Sequence, residues 1–517
     1  MRRGIGIAAI LGAVAAGASQ PAQTASAPQV SIQARTLPFV RQTDERFQSF
    51  QIGFSHLTGG ETWKAYDAMP KGEPGKDVAS VREARSAANL MNPRLIALTR
   101  PLAPLYIRYS GTTANSAYFH DNDASPPAKA PEGYTVVLTR AGWKGAVDFA
   151  RAVNARIVTS FAISEGVRDA AGTWTPRMAA SWLAYTRLIG GRISAAELFN
   201  EPNAPEYPRL PKGFTPAEFA RDYAVFSREM ARLVPDMKLA GPGTANVGVP
   251  GLAAISGISS EDYAEAAPSP RFGIVSYHFY PAVAQRCVPE TSPQGMSADR
   301  ALSEEWLARP DAELARQKAL RDRIAPGAPI WLTETGGAAC GGLRWQPAFL
   351  DMFRYLDTQA RLSKQGLDAM FTHALISGSN GVIDEKTLEP NASYWGAVLW
   401  RKLMGARVLD AGENRPGLHT YAHCLRGVRG GVALLALNLT GEQMVIGTPG
   451  RAQVYTLTSP ELQSQTVLLN GSALAVRTDN RLPAMAPRMA SGQRIDLPAQ
   501  SISFIALPGA GNRNCSR

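Results

Sequence analysis

Between about residue 51 and residue 378 the chain alternates between two textures. Short apolar runs of four to eight residues stand at 51–55, 105–110, 156–163, 195–200, 237–240, 272–278, 330–333 and 370–376. Stretches with apolar residues every three to four positions stand between them, at 140–154, 176–189, 216–233, 303–323 and 347–364. The first texture is that of strands buried on both faces, the second that of amphipathic helices. Eight strands alternating with helices predict an α/β fold with a parallel sheet, and that count is the count of a (β/α)8 TIM barrel. An open doubly wound sheet has the same texture, but no glycine fingerprint opens the first helix, which argues against its dinucleotide-binding form.

After Trp400 the period changes to two. Short alternating runs at 418–423, 432–437, 453–457, 464–469, 473–476 and 501–506, separated by turn residues, predict a C-terminal β-sandwich. The expected organisation is a targeting segment over 1–27, a short segment over 28–50 that adds to the sandwich, a barrel over 51–404 and the sandwich over 405–517. The targeting segment rests on Arg2 and Arg3, an apolar Gly/Ala-rich run from Ile5 to Ala16 and the small-x-small site Ala25-Ser26-Ala27. The run is too short for a comfortable membrane span. The expected location is therefore periplasmic or extracellular, with no stable membrane anchoring. Residues 121–133, rich in Pro and Ala, read as an exposed loop.

The formal net charge of +11 suits an acidic polymer as partner, or merely an Arg-rich composition. No dense Lys/Arg run is present, so a nucleic-acid partner is not expected. The four cysteines, Cys287, Cys340, Cys424 and Cys515, are an even number in an exported chain and allow three pairings. None has CxxC spacing, and with six histidines in the chain a structural zinc site is not expected.

The chemistry is suggested by two strand ends. In a barrel of this kind the active site sits at the C-terminal rim of the strands. The fourth predicted strand ends in ELFNEPN, with Glu201 after Asn200. The seventh ends in WLTETGG, with Glu334 at its tip. Two carboxyls on one rim suit glycosidic bond cleavage, one as proton donor and the other as nucleophile or base. A single glutamate at a strand end is more often a solvated loop residue; the joint pattern carries the reading. Glu197 shares the pleat parity of Glu201 and reads as a paired core residue. The chemistry needs no metal and no organic cofactor.

At these residues the chain resembles heparanase and its bacterial β-glucuronidase relatives, a family of retaining glycoside hydrolases. The resemblance implies that Glu201 is the acid/base and Glu334 the nucleophile. LYIRYSGTTANSAYF resembles the second strand, which places Arg108 near the nucleophile and Thr112 near the sugar. VSYHFYP resembles the sixth, with His278 and Tyr280 beside the nucleophile, and Asn200 is placed to bond a sugar hydroxyl. SYWGAVLWRKLMGARVL resembles the last helix, with Tyr394 at its start facing the sugar. LHTYAHC, LLALNL and SISFIALPG resemble the family's sandwich. The uronate carboxylate would be read by Tyr394 and by backbone N–H groups around Cys340 and Gly341. The resemblance also implies the pairings Cys424–Cys515 and Cys287–Cys340.

The sequence departs from the pattern in places. Ala339 stands where the family has Tyr, Phe54 where heparanase has Asp, and GPGTANVGVPGLAAISG carries no base where relatives that cut sulfated chains are basic. Residues 121–133 are short where heparanase has a long excised linker, so one intact chain is expected. A β-glucuronide is therefore the expected substrate, by an exo or an endo route. The alternatives are endo-cleavage of acidic polysaccharide, another β-glycoside specificity, and a polysaccharide-binding protein without turnover. A monomer is expected.

Overall fold

The computed structural model describes Met1 and residues 30–69, 79–204, 210–247, 259–268, 271–490 and 494–516. The expected targeting segment and most of the stretch after the fifth strand lie outside the described residues.

Eight parallel strands close into a barrel: β1 (Gln48–Gly53), β2 (Leu105–Ser110), β3 (Ala155–Ser160), β4 (Ile193–Glu197), β5 (Lys238–Val247), β6 (Ile274–Tyr280), β7 (Ile330–Thr335) and β8 (Ala369–His373). Each pairs with its neighbours in sequence, and β8 closes on β1. The barrel thus excludes the open doubly wound sheet. The predicted strand ends shift by a few residues. Strand β4 stops pairing at Glu197, so Asn200 and Glu201 stand beyond the ladder. Strand β5 runs on to Val247, past Pro242, with a register shift between Pro242 and Thr244.

Helices Arg140–Ala152, Arg177–Leu188, Pro216–Leu233, Glu304–Ile324 and Phe349–Gln365 surround the barrel where the apolar period placed them. Thr215 caps one of them through a capping box with Glu218. The stretch resembling the last helix divides. Ala392–Leu403 is helical, but Met404 begins a strand, β9 (Met404–Leu409), that pairs with β10 (Leu418–Leu425).

Strand β10 pairs with β11 (Val432–Asn438), and β11 with Ser501–Leu507, inside a nine-stranded antiparallel sheet. Phe39–Gln42 adds to this sheet beside β9, and Val30–Ser31 pairs with Met444–Gly447 in a facing three-stranded sheet. Along β11 the side chains alternate. Ala433, Leu435 and Leu437 join the core shared with the barrel helices, whereas Val432, Leu434 and Ala436 face the sandwich interior. The period of two therefore welds the two halves through one sheet. Strand texture at 464–469 is largely not strand. The carbonyls of Leu462 and Ser464 instead accept the first N–H groups of helix Phe349–Gln365, which have no intrahelical partners.

Candidate active site

The site is built from β1, β2, β4, β6 and β7 around one buried cation. Arg108 on β2 is fully buried in the barrel. Its guanidinium donates to Glu197 (2.7 Å), Glu334 (2.9 Å), Asn200 Oδ1 (2.9 Å) and Gln51 Oε1 (2.6 Å). Glu197 accepts further bonds from Ser276 (2.8 Å) and Thr333 (2.9 Å). Its carboxylate is thus saturated and buried, a charge support for Arg108 and not a reacting group. Burial would raise the Glu197 carboxyl, but the Arg108 guanidinium outweighs it and holds the group low.

Glu334 is held differently. One oxygen takes the Arg108 bond; the other accepts the Tyr280 hydroxyl at 2.6 Å. It keeps 10% of its side-chain surface open to the cleft. Burial alone would raise its carboxyl. The imidazoles of His278 and His373, the Arg108 guanidinium and the Tyr280 hydroxyl outweigh that and hold it well below the usual carboxylate range. The guanidinium is charged at every physiological pH. Burial pushes His373 below its usual 6.5.

Glu201 sits on the rim with φ +53°, in the left-handed region that non-glycine residues enter only when held there. The holding groups are two side-chain amides and a phenol. Asn115 accepts from the Asn200 N–H (2.9 Å) and donates to the Asn200 carbonyl (2.8 Å). Asn203 makes the same two-way bond with the Ala245 backbone, and the Tyr263 hydroxyl donates to the Pro202 carbonyl. The Asn-Glu-Pro-Asn turn is thus pinned at every residue around the glutamate. The Glu201 carboxylate accepts from Asn200 Nδ2 (3.1 Å) and meets His278 Nδ1 (3.0 Å). The other ring nitrogen, Nε2, lies 3.1 Å from an Arg108 nitrogen. Arginine only donates, so Nε2 accepts and Nδ1 carries the proton given to Glu201.

Glu201, His278 and Glu334 each bring an oxygen or nitrogen within 4.8 Å of the others. That spacing would also suit a cation, but both His278 nitrogens are engaged and Arg108 already sits on Glu334.

The two glutamates open into a cleft of about 160 Å³ at the C-terminal end of the strands. Thr112, Tyr280, Cys340 and Gly341 line it with them. Arg108, His278 and Asn200 lie behind the two glutamates, where they orient them. Tyr394 is not brought to the site. It is fully buried in its helix, and its hydroxyl donates to the Leu98 carbonyl at 2.8 Å, so it cannot face a sugar. A larger cavity, about 640 Å³, opens at the opposite mouth of the barrel, where Asp236 is the one acid among its lining residues.

Several lining residues gave no signal in the sequence. Among the described residues, none partners Gln51 Nε2 at the floor. Trp63, Arg82 and Arg85 enter from an antiparallel hairpin, Gly60–Trp63 with Arg82–Arg85, inserted after β1. Cys287 and Cys340 are bridged, as are Cys424 and Cys515. The first bridge ties the loop after β6 to the loop after β7, and the Cys340 backbone is itself left-handed at φ +62°.

No protein-family model matches the chain. It is similar to heparanase-like protein 1 of Arabidopsis thaliana, 30% identical over 234 residues that cover 37% of this chain and 43% of that protein. It is also similar to baicalin-β-D-glucuronidase of Scutellaria baicalensis, 28% identical over 199 residues, 36% of this chain and 38% of that one. The matched stretch thus spans less than half the length of these relatives. A solved 4-O-α-L-rhamnosyl-β-D-glucuronidase of Fusarium oxysporum superposes with TM-score 0.62 and 14% identity, covering 92% of this chain and all of that one, which shows a shared fold.

Proposed function

We propose that this chain is a retaining glycoside hydrolase that cleaves β-glucuronide linkages. The observation that carries the reading is the pair of glutamates in unlike surroundings on one rim. One oxygen of each lies within 4.8 Å of one of the other, close enough for one carboxyl to attack the sugar while the other protonates the leaving oxygen, as retaining enzymes require. Glu334 is the nucleophile. Its carboxylate oxygen bonds to the anomeric carbon as the bond to the leaving oxygen breaks. Glu201 gives its proton to that oxygen, then takes one from the water that displaces Glu334. The Arg108 bond and the Tyr280 hydroxyl keep the nucleophile ionised and aimed.

The uronate preference is supported by the similarity to baicalin-β-D-glucuronidase. Backbone N–H groups around Cys340 and Gly341, held by the Cys287–Cys340 bridge, are proposed to take part in binding the carboxylate. A second reading, endo-cleavage of glucuronate-bearing polysaccharide, is favoured by the similarity to a heparanase-like protein. Two disulfides support export, and among the described residues no helix is long and apolar enough to cross a membrane. We propose that the protein acts outside the cytoplasm as a monomer.

The test is hydrolysis of an aryl β-D-glucuronide beside the matching β-D-glucoside, with wild type and Glu334→Gln. Release from the glucuronide alone, lost in the variant, is expected. Turnover that survives in the variant would overturn the assignment of the nucleophile. Absence of release with both the aryl glycosides and long glucuronate chains would overturn the function.

A further inference from the structure

The inserted hairpin is fixed in place. Arg286, fully buried in the loop after β6, donates to the carbonyls of Lys64, Gly341 and Gly342 and to the Ser379 hydroxyl (2.7 Å), while its guanidinium lies 3.8 Å from the Tyr66 ring centre. Tyr66 in turn donates to the Gly342 carbonyl at 2.6 Å. Trp63 lies so close to Gly341 that a Cβ there, on a backbone already at φ +78°, would come within 2.5 Å of the indole. The hairpin and the glycine loop after β7 therefore make one rigid wall.

Two arginines on this wall face the cleft, and their states differ. Arg85 is satisfied: it lies 2.7 Å from Glu385 and 3.0 Å from His56. Arg82 is not. It lies 4.4 Å above the Trp63 ring, and its ion pair is a 3.5 Å contact to Glu61, whose side chain is half exposed. Such a pair contributes little. Among the described residues no acceptor meets Arg82 Nε, which is itself shielded from solvent, while about a fifth of the side chain stays open and only one of its terminal nitrogens is paired. A planar cation pre-set on an indole, with bonds left to give, is built to take an anion.

We propose that Arg82, held on Trp63, is a specificity-determining subsite that binds an acidic group of the saccharide in the cleft. This rests on the glycosidase reading and deepens it. The acid is a carboxylate of the cleaved uronate itself or an acidic group on the next sugar; the chemistry of recognition is the same. Losing one charge-assisted bond of this kind costs about tenfold in binding.

The test takes the full chain as wild type, Arg82→Gln and Arg82→Lys, with an aryl β-D-glucuronide, the matching β-D-glucoside and a glucuronate-containing tetrasaccharide. The expected result for Arg82→Gln is a rise of about tenfold in the glucuronide KM, with kcat changed much less and the glucuronide-to-glucoside preference reduced. Lysine should recover part of the loss, and it also keeps the test open if the glutamine variant melts early. A rise with the tetrasaccharide alone would assign the acid to the next sugar. KM values within twofold of wild type on both acidic substrates would overturn the subsite. If wild type turns over nothing, equilibrium binding of D-glucuronate and of the tetrasaccharide decides separately. Affinity lost in Arg82→Gln keeps the subsite while the glycosidase reading falls; equal affinity, or none, overturns it.

Discussion

Two buried ionic clusters in this molecule use the same residue types to different ends. One surrounds Arg108 at the barrel mouth. The other lies at the seam between barrel and sandwich, around Asp357 on helix Phe349–Gln365. There Asp357 accepts from His419 Nδ1 (2.6 Å), the Tyr421 hydroxyl (2.6 Å) and Arg361 (2.9 Å). His419 Nε2 reaches Glu304 at 2.9 Å, and Arg361 reaches Asp311 at 3.0 Å. The charge at the centre of this seam is closed on all sides by protein. At the mouth, by contrast, one carboxylate of three, Glu197, is closed in the same way, while Glu201 and Glu334 keep surface on a cleft. Closure makes a cluster structural; an open side makes it available for chemistry. The left-handed backbone at Glu201, which three neighbouring side chains hold in place, belongs to the open cluster.

The contrast predicts opposite phenotypes. The largest effect should come from Glu334→Gln. Removing the proposed nucleophile should lower kcat/KM for the glucuronide by on the order of 10⁴-fold, with a melting temperature at or above wild type. Arg108→Met comes next. It leaves Glu197 buried without its partner and should cost about 3–5 kcal/mol in urea unfolding, as well as activity. Asp357→Ala should show a comparable or slightly smaller stability loss, about 3 kcal/mol, but with kcat/KM intact at temperatures where the protein is folded. A large activity loss there would erase the distinction between the two clusters.

The smallest effect is in pH. Burial would lower His419, but Asp357 and Glu304 outweigh it and raise it above its usual 6.5. Its contribution to stability is therefore complete below pH 6.5 and is lost as pH rises through the raised value. Asp357, held low by His419 and Arg361 against burial, has the opposite sign: its contribution is present above its usual 3.8 and lost as pH falls through the depressed value. Melting temperature should thus fall from neutral toward alkaline pH by on the order of 2 °C through this pair. His419→Gln should flatten that slope, as scanning calorimetry across the range would show.

Much of this was readable from the chain, for identifiable reasons. Strand β2 has the bounds that the apolar run at 105–110 predicts, because a strand buried on both faces writes itself into consecutive residues. Glu201 and Glu334 are legible as rim neighbours because strand ends in a barrel share a rim, and Glu197 as an inward residue because parity fixes which way it points. What periodicity does not carry is contact between distant segments. The hairpin at 60–63 and 82–85 is polar and short, and its relation to the cleft depends on Arg286, some two hundred residues away. The resemblance puts Tyr394 at the sugar because it stands at a helix start. Which side of that helix faces inward is decided by packing against Leu98, which the local sequence does not state. The resemblance puts Arg108 beside Glu334, but its role as the common partner of Glu197, Glu334, Asn200 and Gln51 emerges only when the barrel closes.

The central claim is that Glu334 forms a covalent bond to the sugar while Glu201 handles the proton. Incubation with a 2-deoxy-2-fluoro-β-glucuronyl fluoride, followed by peptide mass spectrometry, tests it most directly, because the fluorine at the neighbouring carbon slows both steps while the anomeric fluoride, a good leaving group, keeps formation of the intermediate faster than its release. The account predicts a single fluoroglucuronyl adduct on the peptide that carries Glu334, absent in Glu334→Gln. An adduct on Glu201, or inverted anomeric product from an enzyme that turns over glucuronide without any adduct, would contradict it.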